Sequence, residues 1–275
     1  MTERHVLGLS GGKDSAALAV YMRQHFPELE IDYFFTDTGD WHRTGRLEGF
    51  LGRPIQYLNP HRGFDFWLRQ YNSFLPSPTT RWCTRKLKLE PFKQWVRPWL
   101  EAGDKVYSYV AIRADEEHRE GMVAQHDNLL VKLPFREHGV DKQGVIEILE
   151  GSGLGLPKYY DWRSRSGCTF CFFQQKIEWV RLKERHPEAY EAAKGYEKTA
   201  LEHGSPFTWT QRETLTELEQ PERVAEIQAD FEIRKQRELA RRRPNPLRVI
   251  PIEPLDIDDL YLEDEGGGAC LVCHK

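Results

Sequence analysis

The chain has 275 residues, 39% hydrophobic and 12% aromatic, enough to bury a core without disulfide staples, which excludes short scaffolds and a disordered chain. Its 39 basic and 43 acidic side chains leave a formal net charge of −4, which excludes a protein that coats nucleic acid through global charge. No stretch approaches the roughly 18–20 uncharged apolar residues of a membrane span, and the first residues run into a strand pattern rather than a signal peptide, so a soluble, cytoplasmic protein with no membrane contact is expected. Val6–Leu9 reads as a buried strand, and Asp14–Phe26 places Ala16, Leu18, Ala19, Tyr21 and Met22 largely on one side of a helix. Ile31–Phe35 is a second strand, followed by the turn-like Thr36-Asp37-Thr38-Gly39, a helix at about His42–Leu51 and a third strand at Ile55–Leu58. This β-α-β-α-β order predicts an α/β fold with a doubly wound parallel sheet, whose ligand sits outside the carboxyl ends of the strands.

A further strand, Lys105–Ile112, is apolar apart from Lys105 and Ser108, which suits a central place in that sheet. Gln174–Leu201 is expected to be mainly helical, broken at His186-Pro187, and another helix spans about Pro221–Arg242 until Pro244 and Pro246 end it. The provisional division is a nucleotide-binding domain at 1–150, a cysteine-bearing helical region at 151–245 and an extended tail at 246–275. Charge is concentrated near the end: Arg234–Arg243 holds six basic groups and one acid, and Glu253–Glu265 holds seven acids. The basic run reads as a solvated or tail-paired helix rather than a polyanion contact.

Ser10-Gly11-Gly12-Lys13-Asp14-Ser15 lies between a strand and a helix, where two glycines let the backbone approach an anion and the free helix amides supply positive potential. Ser10 and Ser15 can add hydroxyl donors, Lys13 a mobile charge, and Asp14 can orient amides or help hold Mg²⁺. This is not a Walker A loop, because its Gly-x-x-x-x-Gly-Lys-Ser/Thr pattern is absent. Five cysteines, four of them in the pairs Cys168-x-x-Cys171 and Cys270-x-x-Cys273, suit metal or redox chemistry better than a secreted disulfide framework. Two thiolates at that spacing can turn toward one metal centre. A zinc site built from Cys168, Cys171, Cys270 and Cys273 is the structural alternative, with Cys83 a small buried hydrophobe. A terminal pair swinging on Gly266-Gly267-Gly268 as a thiol relay is another. Arg81, Arg85, Lys86 and Lys88 flank Cys83, and Arg163 and Arg165 precede Gly167; if these converge the field there attracts anions. Trp162, Phe170, Phe172, Phe173 and Trp179 near the cysteine loop read as shielding and core packing rather than base stacking.

At the hexapeptide Ser10–Ser15 the chain resembles the adenine nucleotide α-hydrolase (PP-loop ATP pyrophosphatase) superfamily. Phe35–Gly39, Trp82-Cys83-Thr84 with Lys88, Ala111–Glu116 and Gly167–Cys171 follow in the order of its phosphoadenosine-phosphosulfate-reductase-like branch, together covering about residues 5–200. The intact loop, the lone Cys83 and the ending Cys270-Leu271-Val272-Cys273-His274 depart from true reductases. They favour the ATP-using side, near the sulfur-inserting component of DNA phosphorothioation systems and CRISPR- or mobile-element-associated proteins. The resemblance implies a Rossmann-like fold of that type with a helical C-terminal part, and cleavage of ATP between its α and β phosphates with Mg²⁺ offsetting charge. It places Ser10–Ser15 on the pyrophosphate, Asp37, Thr38 and Gly39 beside the adenosine or Mg²⁺, Lys88 near the nucleotide, and Arg113 on phosphate or on the loop. It sets Cys83 beside Cys168 and Cys171; three thiolates can hold three irons of a [4Fe–4S] cluster and leave one iron open, which would suit capture of sulfide for transfer, and the alternative takes Cys270 or Cys273 as a fourth ligand.

Three readings follow. The first is an ATP pyrophosphatase that adenylylates an acceptor for sulfur transfer, using Lys13, Asp14 and Arg113 and a sulfur donor such as a cysteine desulfurase. The second is a phosphosulfate reductase with Cys273 or Cys270 as nucleophile and thioredoxin as reductant. The third is a non-catalytic nucleotide-binding subunit of a defence or CRISPR-associated multiprotein complex. The sulfur acceptor, nucleic acid or small molecule, has no recognisable reading module in the sequence.

Overall fold

The structure is a computed structural model and describes residues 2–36, 45–58, 62–117, 119 and 126–241. Five parallel strands form one sheet in the order β3-β2-β1-β4-β5. They are β1 (Glu3–Leu9), β2 (Ile31–Thr36), β3 (Ile55–Leu58), β4 (Lys105–Tyr109) and β5 (Leu129–Lys132). The first helices are α1 (Lys13–His25), α2 (Gly45–Leu51), α3 (Phe64–Gln70), α4 (Trp82–Thr84) and α5 (Glu90–Glu101), with a π-helical turn at Arg85–Leu89 between the last two. After β5 come α6 (Pro134–Glu137), α7 (Lys142–Gly151), a single 3₁₀ turn at Lys158–Asp161, α8 (Lys176–Arg185), α9 (Pro187–Glu202), α10 (Leu215–Leu218) and α11 (Pro221–Arg241). The expected parallel sheet and helical C-terminal part are both present. Among the described residues no helix is long and apolar enough to cross a membrane.

Period-two alternation makes the layers. Leu7, Leu9, Tyr33, Phe35 and Ile55 face a core shared with Ala17, Leu18 and Met22 of α1 and Val145 and Leu149 of α7. Val6, Phe34 and Val106 face the other side, against Phe92 and Val96 of α5. Each fully buried aliphatic or aromatic side chain here stabilises the fold by about 1.5–3 kcal/mol. A third core joins Phe64, Trp82 and Leu87 to Trp162, Trp179, Tyr190 and Trp209, so α3 and α4 belong with the later helices rather than with the sheet.

Two differences from the sequence reading have clear causes. The apolar run expected as a strand through Ile112 stops pairing at Tyr109. Ala111 and Ile112 are buried, 0% and 2% exposed, because they pack rather than because they extend the ladder. The strand β5 was not anticipated; Leu129-Leu130-Val131 is a short continuous apolar run that does not alternate, so periodicity does not mark it as a strand. Where β1 meets β2 on one side and β4 on the other, the direction of winding reverses. A crevice at such a reversal, outside the strand ends, is where open α/β sheets take ligands.

Candidate nucleotide and thiol site

The β1–α1 loop emerges at that reversal. Gly11 has a φ of 73°, left-handed backbone that side chains disfavour. Gly12 is the helix cap in extended conformation, and a Cβ there would stand 2.8 Å from Ser166 Oγ and 3.1 Å from Ser10 Oγ. The serine hydroxyls hold the loop to itself: the Ser10 amide donates to Ser15 Oγ at 3.1 Å, the two Oγ atoms are 3.0 Å apart, and Ser15 Oγ donates to the Gly12 carbonyl at 3.2 Å. Lys13, Asp14 and Ser15 are all buried. Helix α1 has 13 residues, long enough for its N-terminal amides and dipole to attract an anion.

Arg113 arrives from the loop after β4 and donates from Nη1 to Asp14 Oδ1 at 3.0 Å. Its Nε and Nη2 grip Asp115 at 2.9 and 3.0 Å, and its backbone amide donates to Glu116 Oε2 at 3.1 Å. Burial works against the guanidinium charge, but the carboxylates of Asp115, Asp14 and Glu116 outweigh it and hold the group protonated at any accessible pH. The pair therefore ties the first turn of α1 to the far side of the crevice, and the Asp14 carboxylate is engaged by a cation from its own chain.

The sequence reading missed a pair of tyrosines on the 3₁₀ turn. The Lys13 amide donates to the Tyr160 hydroxyl at 3.1 Å, and the Lys13 ammonium lies 4.8 Å from the centre of the Tyr160 ring. Tyr159 donates its hydroxyl to the Gly11 carbonyl, and burial holds that phenol well above its usual range. The only sequence signal was Pro157-Lys158-Tyr159-Tyr160, which marks a turn but not what the turn rests on. Beside the loop opens a cleft of about 620 Å³, lined by Leu9, Gly12, Ala16, Leu47, Leu154 and Leu156 among others. That size and apolar lining suit a small organic ligand.

The chain then leads from the tyrosines to the cysteines. Cys168 and Cys171 flank a tight turn closed by a Cys171 amide to Cys168 carbonyl bond of 3.2 Å. Together with Cys83 from α4 they line one narrow cleft of about 50 Å³, which Lys88 and Arg165 also border. Arg163, 3% exposed, donates to the carbonyls of Gly167 and Cys168 at 3.3 and 3.4 Å. Burial pushes the Cys171 thiol up, against the lowering effect of a Phe173 backbone hydrogen bond and of Arg165, Lys88 and Arg163. The cations expected around the cysteines thus divide. Lys88 and Arg165 border the thiol cleft and, with Arg163, act on Cys171 through their charge, whereas Lys86 pairs with Glu90 at 2.6 Å and Arg85 donates to the Tyr71 hydroxyl at 2.8 Å.

Trp162, Phe173 and Trp179 are buried core, and Phe170 and Phe172 line the thiol cleft. Arg234 and Arg241 on α11 make local pairs with Asp230 and Glu238. Among the described residues no group of three or more His, Cys, Asp or Glu side chains is assembled to hold a metal ion. Asp37, Thr38, Gly39, Cys270 and Cys273 lie outside the described residues.

No family model matches the chain. Two uncharacterized proteins of Methanocaldococcus jannaschii are similar to it. One is 24% identical over 192 residues, covering 66% of this chain and 44% of its own length. The other is 27% identical over 196 residues, covering 68% of this chain and 40% of its own. The match thus spans less than half the length of these curated relatives. Among solved structures, a phosphoadenylyl-sulfate (PAPS) reductase from Candida auris in complex with phosphate is similar over 57% of this chain and 77% of that one, with 13% identity and a TM-score of 0.42.

Proposed function

We propose that the chain is a PP-loop enzyme of the phosphoadenosine-phosphosulfate-reductase-like kind that cleaves ATP to AMP and pyrophosphate and activates an acceptor for sulfur transfer. The observation that carries this reading is the glycine-built β1–α1 loop at the winding reversal and the N-terminus of α1, with residues 159–171 running from it to the thiol cleft. The Gly11–Ser15 backbone would cradle the β and γ phosphates, and Lys13 would neutralise the charge that develops on departing pyrophosphate. Arg113 acts through Asp14, fixing the first turn of α1 in place. The apolar cleft beside Gly12 would take the adenosine. Mg²⁺ would accompany the triphosphate as part of the substrate.

Cys83, Cys168 and Cys171 are soft donors on one cleft, the set a [4Fe–4S] cluster or zinc would use with a fourth ligand such as Cys270. In their present positions the described residues do not form a metal site, so no step is routed through one. Anaerobic purification with assay of iron, acid-labile sulfide and zinc decides which ion, if any, is carried.

The direct test is pyrophosphate release from MgATP under reducing conditions, with candidate acceptors and a persulfide donor such as a loaded cysteine desulfurase. Release that falls at least about 100-fold in Lys13→Ala is expected; inactivity of metal-replete protein with every acceptor counts against the reading. The same thiol cleft also suits reduction of a sulfonucleotide. Sulfite formation with thioredoxin, abolished in Cys273→Ser, would favour that second activity.

A further inference from the structure

Lys13 turns both of its donors to one side chain. Its amide, the first of helix α1, donates to the Tyr160 hydroxyl at 3.1 Å, and its ammonium lies 4.8 Å from the same ring. An anion docking at this helix end needs that amide, because the first amides of a helix are the ones left without an intrahelical acceptor. We propose that Tyr160 belongs to the anion site: its hydroxyl holds the place of a phosphate oxygen on the Lys13 amide, and a polyphosphate enters by displacing it. This deepens the nucleotide reading above and rests on it.

Three observations support the exchange. A neutral phenol is a weaker acceptor than a phosphate oxygen, whose charge-assisted bonds are roughly twice as strong, so the swap favours the ligand. The 3₁₀ turn Lys158–Asp161 that carries Tyr160 is a single turn with no fully buried residue, so the Tyr160 side chain can swing while Tyr159 stays packed against the third core. Toward the loop it is held by the Tyr159 hydroxyl on the Gly11 carbonyl and by the Tyr160 contacts to Lys13. Its far end is anchored: the Arg163 amide donates to the Tyr159 carbonyl at 3.0 Å, and the Arg163 guanidinium rests on the Gly167 and Cys168 carbonyls. The segment is thus anchored at the thiol loop, and the contact to be exchanged at the β1–α1 loop is the Tyr160 hydroxyl on the Lys13 amide.

The test uses the full chain and two probes, inorganic pyrophosphate and MgATP, titrated calorimetrically into wild type and Tyr160→Phe. That variant keeps the ring over Lys13 and removes the competing oxygen together with its hydrogen bond to Tyr159. Pyrophosphate is expected to bind the variant about three- to ten-fold more tightly. Independently of any variant, pyrophosphate is expected to speed amide exchange across residues 157–163 of wild type. Equal or weaker affinity in Tyr160→Phe, or exchange in wild type that pyrophosphate leaves unaltered, overturns the proposal and leaves the nucleotide reading standing. Absence of binding by both wild type and variant, with either probe, overturns the nucleotide reading itself and this proposal with it.

Discussion

Gly12 shows how little room the β1–α1 loop leaves. A methyl group there would sit 2.8 Å from Ser166 Oγ and 3.1 Å from Ser10 Oγ but 3.6 Å from Ser166 Cβ, so the obstruction is two hydroxyl oxygens, Ser166's the closer. Gly12→Ala is expected to cost about 1–3 kcal/mol and to abolish pyrophosphate binding. The double variant Gly12→Ala/Ser166→Ala should regain a good part of the stability in urea unfolding; no regain would show that the strain lies elsewhere in the loop. Arg113 presents the opposite case, a buried cation among carboxylates. Arg113→Met leaves Asp14 in the crevice without that guanidinium and is expected to destabilise by about 3–5 kcal/mol. Arg113→Met/Asp14→Asn should lose clearly less than the two single changes summed. The glycines were legible in the sequence because the loop is contiguous. The Arg113 pairing was not, because nothing local in Arg113-Ala114-Asp115-Glu116 says that a helix 99 residues earlier needs a counter-charge.

At the level of elements, α8 carries more than its own length. Glu178 caps it by accepting from the Gln175 amide at 2.8 Å and also accepts from the Ser164 amide and hydroxyl at 2.6 and 3.0 Å. One fully buried carboxylate thereby joins the helix to the segment that carries Arg163 and the cysteines. Glu178→Ala orphans those donors, and a loss of about 3 kcal/mol or more is expected by urea unfolding. The α10–α11 junction depends on pH instead. Glu213 is held below the usual carboxylate range, chiefly by Arg223, with Lys176 adding to it against the effect of burial. A carboxyl whose folded value is depressed stabilises the fold above its unfolded value, 4.5 here, and that contribution drains away as pH falls through the folded value. Wild type is therefore expected to melt about 2–6 °C above Glu213→Gln at neutral pH, with the gap closing on acidification; a gap constant down to acid pH would contradict this. The break at His186-Pro187 was readable because proline sets it locally, and α8 ends at Arg185 and α9 begins at Pro187 as that rule requires.

For the molecule as a whole, the sequence carried the sheet further than the site. Alternation and contiguous strand-loop-helix units gave β1, β2, β3 and α1 to within a few residues, and the winding followed from their order. The third core was hidden, because Phe64, Trp82 and Trp209 meet across gaps that no periodicity spans. The meeting of Ser166 with Gly12, and of Tyr160 with Lys13, was hidden for the same reason. A ligand that bridges these parts should stabilise them together. MgATP at about 100 times its Kd adds about 2.7 kcal/mol to the unfolding free energy, an expected rise in Tm of about 5–10 °C that Gly12→Ala should erase.

The β1–α1 loop takes its final shape from residues spoken much later in translation. Asp14 waits for Arg113, and the Lys13 amide for a hydroxyl 147 positions downstream. A nascent chain that has released its first sixty residues from the ribosome holds every atom of the hexapeptide yet none of the neighbours that set it. On the proposed reading, capture of a polyphosphate becomes a late event of biogenesis, arriving with the thiols rather than before them.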